Sequence, residues 1–460
     1  MMQISRKDKE KIIESIRNGR IDGADISFPN LIDDIIMKMN RKGLIKELTK
    51  AFKDKRKKNK HIPMEIILAL SIAAKMKIKT SLTDIPYAIT DAELLSELGW
   101  NIWDTERDIK KGLLEEGTIR NIVKKYEAEE LIKAYNKYVQ EIVLQKEGIE
   151  PNIHILDCTK VEVETSNENY EKSELIKIDG EIKRGYKLGS LRGLLDNSGI
   201  IEEIVFGSIK THDLELCKDL ILKSKVLKEG DILINDRGFI SREIINKLKK
   251  ERKVDVYVPA KKNMDIYKQA VEIAKGEGKW HKHPTKSRKE QEIQLIKDVG
   301  MFWQSDKPNE DVKINACVVY DKKKKEYFVF LTTDTKKTAK QIIKTYELRP
   351  EIEEDYRQIK EFWKLEDFKS TKYNFILFHI VMLLIGYMYF QIYKNTEEGQ
   401  KYAKKSLPVA IKKYVCKKEK KVIIYRGRYF AIFNFLEFIK LYSSCSEEIQ
   451  SLLDPILALV

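Results

Sequence analysis

Cysteine is scarce in this chain of 460 residues. The five cysteines, Cys158, Cys217, Cys317, Cys416 and Cys445, lie far apart and form no C-x-x-C. An odd, scattered set builds neither a disulfide framework nor a zinc site, and a reduced, cytoplasmic compartment fits it best. The charged start, Met1 to Lys7, is followed by no apolar h-region, so no secretory signal is expected. Internal repeats and low-complexity tracts are also missing. Acidic residues are outnumbered, 72 against 87 basic ones, which leaves a net charge of +15. That excess is spread through the chain. A basic globular protein of this size most often meets a polyanion, nucleic acid first and anionic membrane second.

Long apolar runs are almost absent. The exception is Tyr373 to Tyr393, which contains no formally charged residue and is long enough to span a bilayer. Asn374, His379 and Gln391 interrupt it, no second segment of its kind exists, and its flanks are charged. A helix apolar all round also forms the buried centre of a large domain. That is the expectation here, with no membrane partner.

Residues 1–150 read as helical. Arg6 to Ile16, Leu44 to Phe52, Met64 to Met76 and Leu114 to Leu144 carry apolar residues at steps of three and four, and Asp91 is placed to cap the helix after it. The run Lys50 to Lys60 is densely basic. It suits either a solvated linker or a phosphate-contacting patch. From about 150 the pattern turns to strands. Ile153, Ile155, Val161 and Val163 alternate on one face with Asp157 among them. Tyr186 to Leu195 and Ile200 to Phe206 flank the turn Asp196-Asn197-Ser198-Gly199, as in a hairpin. Thr211-His212-Asp213 opens a helix. Ile232-Leu233-Ile234 reads as a strand buried on both faces, with Asp236 at its C-terminal end, where ligands of open α/β sheets gather.

Residues 264–334 read as a β-rich insertion. Its His281 and His283 look like a surface pair rather than a metal site, and Trp280 and Trp303 look like packing residues. The tail after the apolar helix is strongly basic.

The remaining charged cluster is Tyr346 to Lys360. At about 100° per residue, Ile352, Tyr356, Ile359 and Trp363 share an apolar face. Glu353 and Lys360 stand at its edge with Arg349 beside them, and Asp355 also falls toward the apolar side. Helical geometry alone does not choose between Glu353 and Asp355. Pro350 lacks an amide donor and clashes with the carbonyl of Tyr346, so the helix is expected to break and restart there. Two strand aspartates and a later helical glutamate within a mixed sheet are what two-metal phosphoryl transfer needs, because paired Mg²⁺ ions require carboxylates on rigid elements.

These residues resemble a known family. Tyr346, Arg349, Glu353 and Lys360 match the Y-x2-R-x3-E-x6-K signature of bacterial insertion-sequence transposases of the DDE type. Asp157-Cys158-Thr159, Thr211-His212-Asp213 and Asp236-Arg237-Gly238-Phe239 resemble its companion motifs. The resemblance implies an α/β fold: a ribonuclease H-like mixed sheet flanked by helices, a helical N-terminal domain, and a β-rich insertion before the catalytic glutamate. It implies catalysis by Asp157, Asp236 and Glu353 holding Mg²⁺, with Mn²⁺ able to substitute. Tyr346, Arg349 and Lys360 would contact DNA.

The expected domains are 1–150 for DNA binding, 151–263 and 335–395 for the catalytic core, 264–334 for the insertion and 396–460 for a basic C-terminal region. The expected activity is that of a metal-dependent endonuclease and strand transferase. It would act on transposon ends and target DNA, as a homodimer in the synaptic complex and at the nucleoid. A relative that has lost catalysis and acts by occupancy is the alternative.

Overall fold

The computed structural model describes residues 6–27, 30–57, 62–89, 91–99, 116–178, 180–196, 198–413 and 421–457. The end of the basic run, Asn197 of the expected turn, Cys416 and the lysines at 417–420 lie outside them. The chain forms two units, Val139–Gln358 and Met1–Tyr138 together with Ile359–Val460.

In the first unit, the alternation around Ile155 becomes β1 (Ile153–Val163). It is followed by β2 (Glu174–Ile178), β3 (Glu181–Leu194), β4 (Gly199–Ser208), β5 (Ile232–Asn235) and β6 (Asp255–Pro259). Then come β7 (His281–Lys282), β8 (Gln291–Ile296), β9 (Asn315–Asp321) and β10 (Glu326–Thr332). One sheet takes them in the order β2-β3-β1-β5-β6-β10-β9-β8-β7, with β4 also on β3. The short β5, buried on both sides as its Ile-Leu-Ile run requires, is parallel to β1 and β6. The other pairings are antiparallel, including the β3–β4 hairpin. This is a mixed sheet flanked by helices, the ribonuclease H-like arrangement. The strands of 264–334 join it, because β10 runs antiparallel to β6 with Leu331 opposite Val258.

One sheet face is sealed by the two helices Ala339–Tyr346 and Pro350–Glu361. Ile342, Ile343, Ile352 and Tyr356 from these helices pack on Ile155, Ile234, Tyr257, Cys317 and Val319. The helix Asp213–Leu222 packs on β3 and β4. Its approach depends on Gly189, where a Cβ would stand 2.4 Å from Cys217 Sγ.

In the second unit the apolar run forms the helix Tyr373–Lys394, and 20 of its 22 residues are buried. It is long and apolar enough to cross a membrane, yet its apolar window is wholly buried. Met64–Met76 and Ala128–Tyr138 pack around it. Two of its polar groups find partners there: Asn374 donates to the Val123 carbonyl at 3.1 Å, and the Tyr389 hydroxyl lies 2.6 Å from that of Tyr138. Gly386 lets the neighbours close in, since a Cβ would come within 2.9 Å of Met76 Cγ and 3.3 Å of Trp363. Gly386→Ala is therefore expected to destabilise the chain by about 1–3 kcal/mol through overpacking, read as a lower urea midpoint at unchanged slope.

The reading of 1–150 as purely helical needs correction. Arg6–Lys7 and Gly23–Ser27 are strands. They flank the hairpin Lys421–Arg426 and Tyr429–Asn434 in a four-stranded sheet. Ile12 and Ile16 of the helix Lys9–Arg17 pack on that sheet. The basic tail is thus folded against the chain's beginning. The helix expected from Leu114 to Leu144 is also interrupted, at residues 124–127.

Candidate active site

Strand register brings the two aspartates together. Leu156 of β1 pairs with Asn235 at the end of β5, so the next residues, Asp157 and Asp236, stand side by side where β5 stops. Glu353 arrives from the helix Pro350–Glu361. Pro350 acts as anticipated. The preceding helix ends at Tyr346, whose carbonyl accepts the Arg349 N–H at 3.0 Å, and a new helix begins at Pro350. The corner between them presents Arg349.

The three acids converge on that guanidinium. Arg349 Nη2 lies 3.0 Å from Asp157 Oδ2 and 3.7 Å from Asp236 Oδ2, while Nη1 is paired with Glu353 Oε1. The acids are graded in depth, with side chains 12%, 37% and 53% exposed for Asp157, Asp236 and Glu353. The site is thus a cleft with Asp157 at its floor. Burial pushes the Asp157 carboxyl up to about 6. Arg349 and the N–H of Cys158, which donates to Oδ1 at 2.8 Å, work against that rise; Asp236 and Glu353 add to it. Burial also opposes the charge on Arg349, but Asp157 and Asp236 outweigh it and hold its pKa above the usual value. The Tyr356 hydroxyl, one turn beyond Glu353, donates to the backbone carbonyl of Asp157 at 2.8 Å and ties the helix to the strand.

Tyr346 and Lys360 take different positions. The Tyr346 ring packs against Phe330, with centroids 4.6 Å apart, and burial raises its phenol. Lys360 lies on the last turn of the Glu353 helix, 3.1 Å from Glu366. Asp355, which helical geometry had left level with Glu353, points elsewhere. It pairs with the buried Arg192 at 2.5 Å, and Glu351 joins the same guanidinium at 3.1 Å. Asp355→Ala is expected to lower stability by about 1–3 kcal/mol, because it takes the nearer of two carboxylates from a buried arginine. Denaturant melts would register that loss, while strand-cleavage activity in the folded fraction stays near wild type.

The motif Thr211-His212-Asp213 supports the site from behind. His212 caps its helix, and Lys187 of β3 bridges Asp213 Oδ1 at 2.6 Å and the Thr211 carbonyl at 2.5 Å. Asp213 Oδ2 lies 3.3 Å from where a Cβ on Gly238 would be, so the turn after Asp236 packs on this aspartate. Sequence patterning did not single out Lys187 or Arg192 and gave Tyr356 only a place on the apolar face; their partners are remote in the chain.

The expected surface pair of histidines is half wrong. His281 is exposed, but His283 is buried, 3.8 Å from Glu347 at the helix corner. Thr285 and Arg288 hold the same carboxylate, at 2.6 and 3.1 Å.

Among the described residues no group of three or more His, Cys, Asp or Glu side chains is set as it stands to hold a metal ion. Carboxylate oxygens are the donors that a hard cation takes, and three carboxylates here surround a single guanidinium.

A family model described as a transposase DDE domain matches residues 150–389. The chain belongs to that family. The match begins just before β1 and runs into the long buried helix, so the transposase domain contains all three acids. A search of the curated proteins found no match. Family membership makes the chain a transposase.

Proposed function

We propose that this transposase binds the terminal inverted repeats of an insertion sequence, cleaves a phosphodiester at each end and joins the freed 3′-OH strands to target DNA. The observation that carries the reading is the convergence of Asp157, Asp236 and Glu353, from two strands and a helix, on one point. These three are the catalytic acids and would hold Mg²⁺, with Mn²⁺ as a substitute. When bound, such ions polarise the phosphoryl oxygens and lower the pKa of water. The protein's part is to fix the carboxylates on rigid elements and to orient the DNA. Tyr346, Arg349 and Lys360 would take phosphate contacts, Arg349 as a bidentate fork. The +15 net charge supports a broader, sequence-independent grip. The mainly helical region 1–150 would read the repeats, and two copies would act as a dimer on paired ends at the nucleoid.

The test is incubation of the full chain with DNA carrying the ends of its own element and Mg²⁺ or Mn²⁺. Free 3′-OH ends and joined products are expected. Tight binding with neither nicking nor joining would overturn this reading in favour of occupancy alone.

A further inference from the structure

Arg349 has an unusual set of partners. Among the described residues its side-chain hydrogen bonds and ion pairs run to Asp157, Asp236 and Glu353 alone. Its Nε is buried with no hydrogen-bond partner. No other polar group among the described residues holds the guanidinium where it is. The carboxylates it occupies, moreover, are those proposed to hold a divalent cation. A guanidinium and a divalent cation a few ångströms apart in a partly buried cleft repel strongly, so the acids cannot serve both at once. Removing Arg349 with nothing in its place is equally unfavourable, because Asp157 lies at the cleft floor beside two other acids. The corner between the two helices supplies the means of exchange. Arg349 sits just outside the first turn of its helix and is 16% exposed, so a side-chain rotation can carry its fork outward without unwinding either helix.

We propose that Arg349 is an internal counter-ion for the three acids, which must leave them before a divalent cation enters. A DNA phosphate is the anion that receives it. Cation loading and capture of the DNA backbone are then coupled through one side chain. The resting enzyme keeps its three acids partly neutralised by one guanidinium, and the cleft becomes competent when the arginine has a phosphate to bind. By linkage, DNA raises cation affinity by the same factor as the cation raises DNA affinity. This rests on the proposed role of Asp157, Asp236 and Glu353 as the acids that hold the cation.

The test uses the full chain without DNA and Mn²⁺ alone as the probe. Paramagnetic resonance of unbound Mn²⁺ gives the affinity, and thermal unfolding with and without Mn²⁺ gives an independent reading. Arg349→Gln is expected to bind Mn²⁺ about 5- to 150-fold more tightly than wild type, the range of ordinary coupling between sites. Its unfolding midpoint should also gain more from Mn²⁺. Arg349→Lys keeps a cation but loses the fork, and should shift affinity in the same direction by less. Circular dichroism checks that both variants are folded.

If neither variant binds Mn²⁺ more tightly while Asp157→Asn abolishes binding, Arg349 does not compete and the inference falls, leaving the metal-holding acids in place. If Mn²⁺ binding is indifferent to Asp157→Asn and Asp236→Asn, the metal-holding role falls as well.

Discussion

Asp157→Asn and Asp236→Asn are each expected to lower DNA strand cleavage by about 10²–10³-fold or more, the scale of losing one preorganised charge partner at a reacting centre. The substitution is close to isosteric; it removes the charge and turns one acceptor oxygen into an N–H donor. Asp157 should suffer most, since it is the deepest of the three, anchored by the Cys158 N–H and by Tyr356 through its own carbonyl. The same depth predicts an opposite effect on stability. Burial raises the Asp157 carboxyl to about 6, so its ionised form is held at neutral pH at a loss. Without added metal, Asp157→Asn should therefore unfold at the same temperature as wild type or higher. A folded, at least equally stable protein without cleavage is the signature of a residue kept for function at the expense of stability. Gel assays of end cleavage beside thermal melts measure both. A variant that cuts normally, or one that is inactive because it is unfolded, would contradict the assignment.

His154→Ala should have the largest effect on stability, about 3–5 kcal/mol, because it leaves two buried carboxylates without their shared cation. His154, three residues before Asp157, is wholly buried between Glu202 at 2.7 Å and Asp231 at 3.2 Å, one carboxylate for each ring nitrogen. Both nitrogens donate only in the protonated ring. Burial pulls its pKa down, but Glu202 and Asp231 together prevail and raise it to about 9. Glu202 is itself held above its ordinary range by burial, against the pull of His154 and with Arg192 nearby. A histidine raised in the folded state contributes stability that is fully present below about 6.5, its unfolded value. That contribution is lost as pH climbs through about 9. Wild-type stability should thus fall between pH 6.5 and 9, and His154→Ala should flatten that slope while lying well below wild type at pH 6.5. Urea melts across the range decide it, and parallel slopes for the two proteins would refute the paired imidazolium.

Much of this architecture is legible in the sequence where the signal is local. The alternation around Asp157, the apolar triplet before Asp236 and the uncharged run at 373–393 each produced the expected element. Pro350 broke the helix where its missing amide and its ring require. Ambiguity remained wherever the deciding partner is remote in the chain. Asp355 and Glu353 both border the apolar face on a helical wheel, and Arg192, on a distant strand, separates them. Arg349 reads as an ordinary i,i+4 partner of Glu353, yet it also reaches Asp157 and Asp236. The strands Arg6–Lys7 and Gly23–Ser27 are too short for periodicity to announce, and they exist through a hairpin some four hundred residues later. His283 looked superficial because its burial comes from Glu347, Arg288 and the helix corner rather than from its neighbours in sequence.

The central claim is that Asp157, Asp236 and Glu353 hold divalent ions against the scissile phosphate. A DNA end in which one non-bridging oxygen of that phosphate is replaced by sulfur, one diastereomer at a time, tests it most directly. Sulfur is a poor ligand for Mg²⁺ and a better one for softer Mn²⁺. One diastereomer should be cut poorly in Mg²⁺, Mn²⁺ should restore cutting, and Asp157→Asn and Asp236→Asn should prevent the rescue. Equal cleavage of both diastereomers in Mg²⁺, or rescue by Mn²⁺ without either aspartate, would contradict it.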